Sequence, residues 1–150
     1  MNTQTASANT PALSRLHSLG YPIMRIATGL MLMPHGAQKL FGWFGGYGPA
    51  ATGQFFAQSL GMEPGIVFAV LAGLVEFFGG LALVLGFLTR PAALAVTVLL
   101  GVTLTVHWSN GYFWNNGGIE YPLLWAFMAI SILLQGGGAF SVDRRIGLKF

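Results

Sequence analysis

Four apolar blocks run along the chain, each bounded by turn residues or by clusters of polar and aromatic side chains. They extend from about Gly20 to Leu40, from about Pro64 to Leu88, from Pro91 to near Val106, and from near Tyr121 to near Gln135. A helix needs about 20 residues to cross a bilayer, within a range of about 17–25. The first two blocks meet that length outright, and the last two reach it once their interfacial flanks join them. Pro91 suits a helix-opening position, where its missing N–H is not needed. Gly136-Gly137-Gly138 closes the fourth block. The pattern predicts an all-α integral membrane protein whose chain crosses the bilayer about four times.

The connections carry their own signals. Segment 41–63 is rich in glycine and aromatics, and Ala51 to Leu60 within it is predicted to form a short helix lying on the membrane. Segment 108–120 holds Trp108, Tyr112 and Trp114 among Asn and Gly, and also reads as interfacial, since Trp and Tyr favour the headgroup boundary. Residues 1–19 are expected to be a polar N-terminal tail, disordered over its first fourteen residues, and 146–150 a basic tail end. The first apolar block is too long for a signal-peptide core and lacks a clear cleavage site, so it is expected to be retained.

Composition sharpens this reading. Apolar residues make up 54% of the 150 and charged residues 7%, far below the roughly 25% of a soluble domain. With no cysteine, disulfides, thiol exchange and Cys-ligated clusters are excluded. The net charge of +3 includes no basic run that would suit nucleic acid. Four spans would place Arg15, Arg90, Arg144, Arg145 and Lys149 on one side and only Lys39 near the other, with Arg25 inside a span. That positive-inside bias predicts that both termini are cytoplasmic.

Candidate chemistry follows from ionisable groups inside the spans, where a charge costs at least ~2.5 kcal/mol and so faces protein or water. Arg25, Leu32 and Lys39 are spaced by seven and share a helix stripe with His35, Gly29 and Gly36. Glu76 lies at the centre of the second span. It relays a proton or contacts a polar ligand, or else forms a folding pair with Arg25. His35 and His107 should lie at similar depth near the outer face, joined by Lys39 and Glu120. They form either an outward pocket for a quinone headgroup or an ordinary set of interfacial polar residues. Trp108 is the aromatic candidate for that pocket, the alternative being a membrane belt with Tyr112 and Trp114. Two histidines permit haem ligation, but no spacing signature supports it, and no metal site is expected. Phosphate-binding loops, dinucleotide fingerprints and hydrolase motifs are absent. Ser141-Val142-Asp143 reads as a cap or turn.

These residues together resemble a known family. Arg25 is followed by Pro34-His35-Gly36-Ala37-Gln38-Lys39-Leu40-Phe41-Gly42, then by Val75-Glu76-Phe77-Phe78-Gly79-Gly80 and Leu85-Gly86-Phe87-Leu88-Thr89-Arg90-Pro91. His107, Gly118-Ile119-Glu120 and Gly136-Gly137-Gly138-Ala139-Phe140-Ser141-Val142-Asp143 complete the set. Over about residues 20–145 the pattern resembles the DoxX family of bacterial inner-membrane proteins. The resemblance implies a multi-pass four-helix membrane bundle of the kind described as an oxidoreductase, partly through relatives in thiosulfate:quinone oxidoreductases and partly through gene context. It carries over Glu76, His107 and Glu120 as catalytic candidates and Arg25, His35, Lys39 and Trp108 as ligand contacts. Three functions stand: a redox-linked, quinone-interacting subunit, a non-catalytic scaffold for a partner complex, and a small-molecule transporter. The bilayer, a quinone, a partner subunit and a second copy of the chain are the expected partners. The electron donor, the cofactor and the oligomeric state are not written in the sequence.

Overall fold

A computed structural model describes residues 11–148, and every regular element among them is helical. Helix α1 (Pro11–Phe41) is followed by α2 (Gly48–Leu60). Next come α3 (Gly65–Leu74), a π-helical turn (Val75–Gly79) and α4 (Gly80–Leu85), which run together as one rod. Then follow α5 (Thr89–His107), α6 (Glu120–Gln135) and the short α7 (Val142–Arg145). Gly65–Leu85 and Thr89–Asn110 are long and apolar enough to cross a membrane, with mean hydropathies of 2.3 and 1.7. Helix α6 is apolar but shorter, at 16 residues.

Helix α1 starts at Pro11, nine residues before the expected Gly20, and runs for 31 residues. Residues 1–10 of the expected tail, and Lys149 and Phe150, lie outside the described residues. The helix expected over 51–60 is present as α2. Helix α5 begins at Thr89, two residues before Pro91, because a distant carboxylate supplies its cap. Asp143 accepts hydrogen bonds from Leu88 N (2.8 Å), Thr89 N (2.9 Å) and Thr89 Oγ1 (2.6 Å). A helix start has N–H groups without intrahelical partners, and here a buried carboxylate takes two backbone N–H groups and favours the helix dipole. Ser141 in turn caps α7 through Arg144 N at 3.2 Å.

Glycine sets the closest helix contact. Helix α1 lies antiparallel to the Gly65–Leu85 rod, with Gly29 against Gly80 and Gly36 against Gly73 and Phe77. A Cβ on Gly36 would run into the Phe77 backbone nitrogen and the Gly73 carbonyl, so the backbones meet only because neither side chain intervenes. The rod packs along α1, α5 packs on α4 and the π turn, α6 packs along α5, and α1 touches α6. Leu32, Leu83, Val96, Leu100, Ala129 and Ile132 are buried where these helices meet.

One end of the molecule is fastened by polar contacts. Tyr21 donates to the Gly136 carbonyl, Arg90 to Leu134 O at 3.0 Å, and Asp143 N to Gly86 O at 3.0 Å. Gly86, at φ 65°, ends the rod, and Gly136, at φ 74°, ends α6. Both take backbone angles that a side chain would strain. At the other end α2 and the 108–120 loop lie over a cavity.

Candidate functional site

The cavity, about 310 Å³, is lined by residues of α1, α2, the rod, α5 and α6. Helix α1 contributes Leu32, His35 and Lys39, and the rod contributes Ala72 and Glu76. Helix α5 contributes Leu99 through His107 at helical spacing, and α6 contributes Tyr121, Pro122 and Trp125. Helix α2 adds Phe55, Phe56 and Leu60. Most of this wall is apolar or aromatic, so its few polar groups define the chemistry.

Lys39 Nζ donates to both carboxylate oxygens of Glu76, at 2.9 Å to Oε1 and 2.7 Å to Oε2. The two side chains retain 22% and 12% of their accessible surface, on the cavity side. The geometry follows from helix direction. A helical side chain leans toward its own N-terminus. In antiparallel helices Lys39 therefore leans inward and Glu76 outward, and they meet. Glu76 sits inside the π turn, and such turns recur where a helix is modified for function.

The same rule corrects one expectation. Arg25 does not pair with Glu76. It leans toward the opposite end, fully buried, and donates to Leu83 O at 2.7 Å and Phe140 O at 2.6 Å. Arg25 is eleven residues from Gly36, which packs beside the π turn, so its Cα stands about 16 Å away along the axis. Arg25 thus ties α1 to the end of the rod and to the chain after α6, outside the cavity.

His35 stands edge-on to Trp125, with ring centroids 5.5 Å apart. His107 Nδ1 lies 2.6 Å from the Gly117 carbonyl. A carbonyl only accepts, so Nδ1 is the donor, which leaves Nε2 as the ring nitrogen open to a ligand. The structure therefore brings His35, Lys39, Glu76 and His107 around one space. It leaves two other candidates out of the wall. The Glu120 carboxylate accepts from Trp114 N at 3.0 Å and belongs to a shallow surface depression with Phe113, Asn115 and Tyr121. Trp108 is largely exposed. Among the described residues no three side chains gather to hold a metal.

Several wall residues escaped the sequence reading. Tyr121 and Trp125 are four apart on α6, and Phe56 and Leu60 four apart on α2, the spacing of one helix face. That signal is shared with any core or membrane-belt face, so it did not single them out.

The chain is helical, two of its helices are long and apolar enough to cross a membrane, and its charged groups gather in an apolar cavity. Residues 20–108 match the DoxX family. With more than half of its length matched, the chain belongs to the DoxX family of membrane proteins. The inner membrane protein YphA of Escherichia coli strain K12 is 33% identical over 135 residues, covering 82% of this chain and 87% of its own length. The inner membrane protein YqjF of the same organism is 28% identical over 143 residues, covering 92% of this chain and all of its own. A protein of Bacillus subtilis strain 168 named "Putative oxidoreductase CatD" is 27% identical over 132 residues, 87% of this chain and 90% of its own. No solved structure matches the chain.

Proposed function

We propose that the chain crosses the bacterial inner membrane four times as a four-helix bundle with both termini cytoplasmic, and that its cavity binds a quinone headgroup as part of a redox-linked subunit. The topology is supported by the inner-membrane relatives and by the basic residues Arg90, Arg144 and Arg145 at the end opposite Lys39. The 31 residues of α1 exceed a bilayer's need. The 16 residues of α6 give about 24 Å, so their aromatic flank completes the crossing.

The observation that carries the ligand reading is the bidentate Lys39–Glu76 pair, set in an apolar, aromatic cavity with His35 and His107 beside it. A planar ring with two carbonyl oxygens fits those groups. Trp125 and Tyr121 offer ring contacts, Lys39 offers charge for an oxygen that becomes anionic, and the histidines offer hydrogen bonds. Reducing a quinone to a quinol takes two electrons and two protons. In this reading a partner redox protein supplies the electrons, and the two protons come from water, each passing to a quinone oxygen through the Glu76 carboxylate or His107 Nε2, which take up a proton only in transit. Glu120 acts indirectly by holding the backbone at Trp114, whose ring packs on His107. The oxidoreductase name of the Bacillus subtilis relative agrees with this reading.

The test is a titration of protein in lipid nanodiscs with 2,3-dimethoxy-5-methyl-6-decyl-1,4-benzoquinone, followed by quenching of tryptophan fluorescence. Saturable quenching is expected, weakened about tenfold or more in Lys39→Met and His107→Ala, since each loses one charged or hydrogen-bonding contact. Quenching that rises linearly with quinone in every variant would remove the quinone reading. Loss of a co-purifying protein from the same variants would then point to the scaffold function.

A further inference from the structure

The cavity has one loosely closed side. Toward the end of the molecule the 108–120 loop forms a pinned cap. Gly118 N bonds Phe113 O at 3.1 Å, Ile119 N bonds Gly111 O at 3.0 Å, and Glu120 N bonds Tyr112 O at 2.9 Å. The Trp114 ring packs on both Tyr121 and His107. Toward the interior, α5 packs on α4 and the π turn. From the level of Glu76 outward the picture changes. Helix α5 has no comparable packing with α3 or α2, although α2 packs closely on α3. No hydrogen bond or ring pair joins α2 to α5 among the described residues. The rod and α5 therefore splay above the π turn, and the cavity fills the wedge between them.

The lips of this wedge are apolar and exposed. Phe55 of α2 is 53% exposed and Val102 of α5 is 39% exposed, yet both line the cavity. Val102 lies eight residues inside the end of the Thr89–Asn110 apolar helix, about 12 Å along its axis. That depth is within hydrocarbon if the helix spans the bilayer. An opening there meets lipid tails, whereas the capped end meets water.

We infer that the wedge between α2–α3 and α5 is a lateral mouth through which the cavity takes a membrane-dissolved ligand, its headgroup at Lys39–Glu76 and its apolar tail between Phe55 and Val102. The inference rests on the quinone reading and adds to it a substrate class: tailed, bilayer-resident quinones in preference to small water-soluble ones. It also makes Val102 a specificity-determining residue.

The test compares two probes that share one headgroup, 2,3-dimethoxy-5-methyl-1,4-benzoquinone and its 6-decyl derivative, on wild type, Val102→Trp and Val98→Trp in nanodiscs. Val98 is 60% exposed on the same helix and does not line the cavity, so it controls for added bulk. Val102→Trp should weaken the decyl probe about tenfold, the loss of roughly two methylene contacts, and leave the tailless probe within about twofold. Val98→Trp should change neither. Val102→Phe replaces Val102→Trp if the larger residue prevents folding. Equal loss of both probes, or no loss of either, overturns the lateral mouth while the quinone reading stands. A wild type that saturates with neither probe overturns the quinone reading and the mouth with it.

Discussion

Removing Lys39 tests the ion pair most sharply. Two opposite charges ~3 Å apart attract by about 5–6 kcal/mol at an effective dielectric near 20. Most of that attraction offsets the cost of taking both groups out of water, so the intact pair is worth little more than two well-packed apolar side chains. Removing one partner is different, because the other charge stays behind in an apolar wall. Breaking a fully buried pair costs about 3–5 kcal/mol. Here the two side chains keep 22% and 12% of their surface on the cavity side, which lowers the expected cost of Lys39→Met or Glu76→Gln to about 2–4 kcal/mol. The double variant should recover to within about 1 kcal/mol of wild type, giving a coupling energy of about 3 kcal/mol or more. Unfolding in mixed micelles with rising mole fraction of dodecyl sulfate, followed by far-ultraviolet circular dichroism, measures all four proteins. Additive costs, with a coupling below about 0.5 kcal/mol, would refute the pairing. The stable double variant should still fail to bind the quinone probe, which separates the pair's role in binding from its role in stability.

Other parts of the structure make equally specific demands. Arg25→Met removes both charged hydrogen bonds, leaving Leu83 O with its bond from Gly86 N at 3.2 Å, and should cost about 2–4 kcal/mol in the same unfolding assay. Arg25→Lys should recover less than half of that, because one ammonium cannot reproduce the fork of a guanidinium. Asp143→Ala removes three hydrogen bonds at the start of α5 and should cost about 2–3 kcal/mol, with amide exchange at Leu88 and Thr89 accelerating first. Gly36→Leu should abolish folding, since its side chain meets backbone on the rod. Gly101→Ala, which meets open space, should stay within about 0.5 kcal/mol of wild type.

Much of the helical framework was legible in the apolar blocks. The end of α6 was marked by Gly136 and α2 by a helix-compatible stretch between glycine-rich turns, whereas α4 ends at Leu85, three residues before the expected Leu88, because Gly86 takes a left-handed backbone. That another helix approaches α1 closely was also written in Gly29 and Gly36, though not that the rod is that helix. What could not be read is who partners whom across the bundle. Arg25 and Lys39 share one stripe, and only the lean of each side chain along antiparallel helices decides that Lys39, not Arg25, reaches Glu76. Asp143 is likewise fifty-four residues from the helix it caps, and no local pattern announces such a cap. The apolar walls of the cavity from α2 and α6 carry no chemical marker at all. They look like any buried or lipid-facing helix surface until the packing is known.

The central claim is that the Lys39–Glu76 cavity is a quinone site, and site-directed photolabelling tests it most directly. Membranes containing the protein are irradiated with an azidoquinone bearing a decyl tail, and labelled peptides are mapped by mass spectrometry. Label on the segments around His35–Lys39, Val102–His107 and Tyr121–Trp125, displaced by excess unlabelled quinone, is the expected result. Label spread over lipid-facing positions such as Leu94 and Val98, undiminished by competitor, would contradict it.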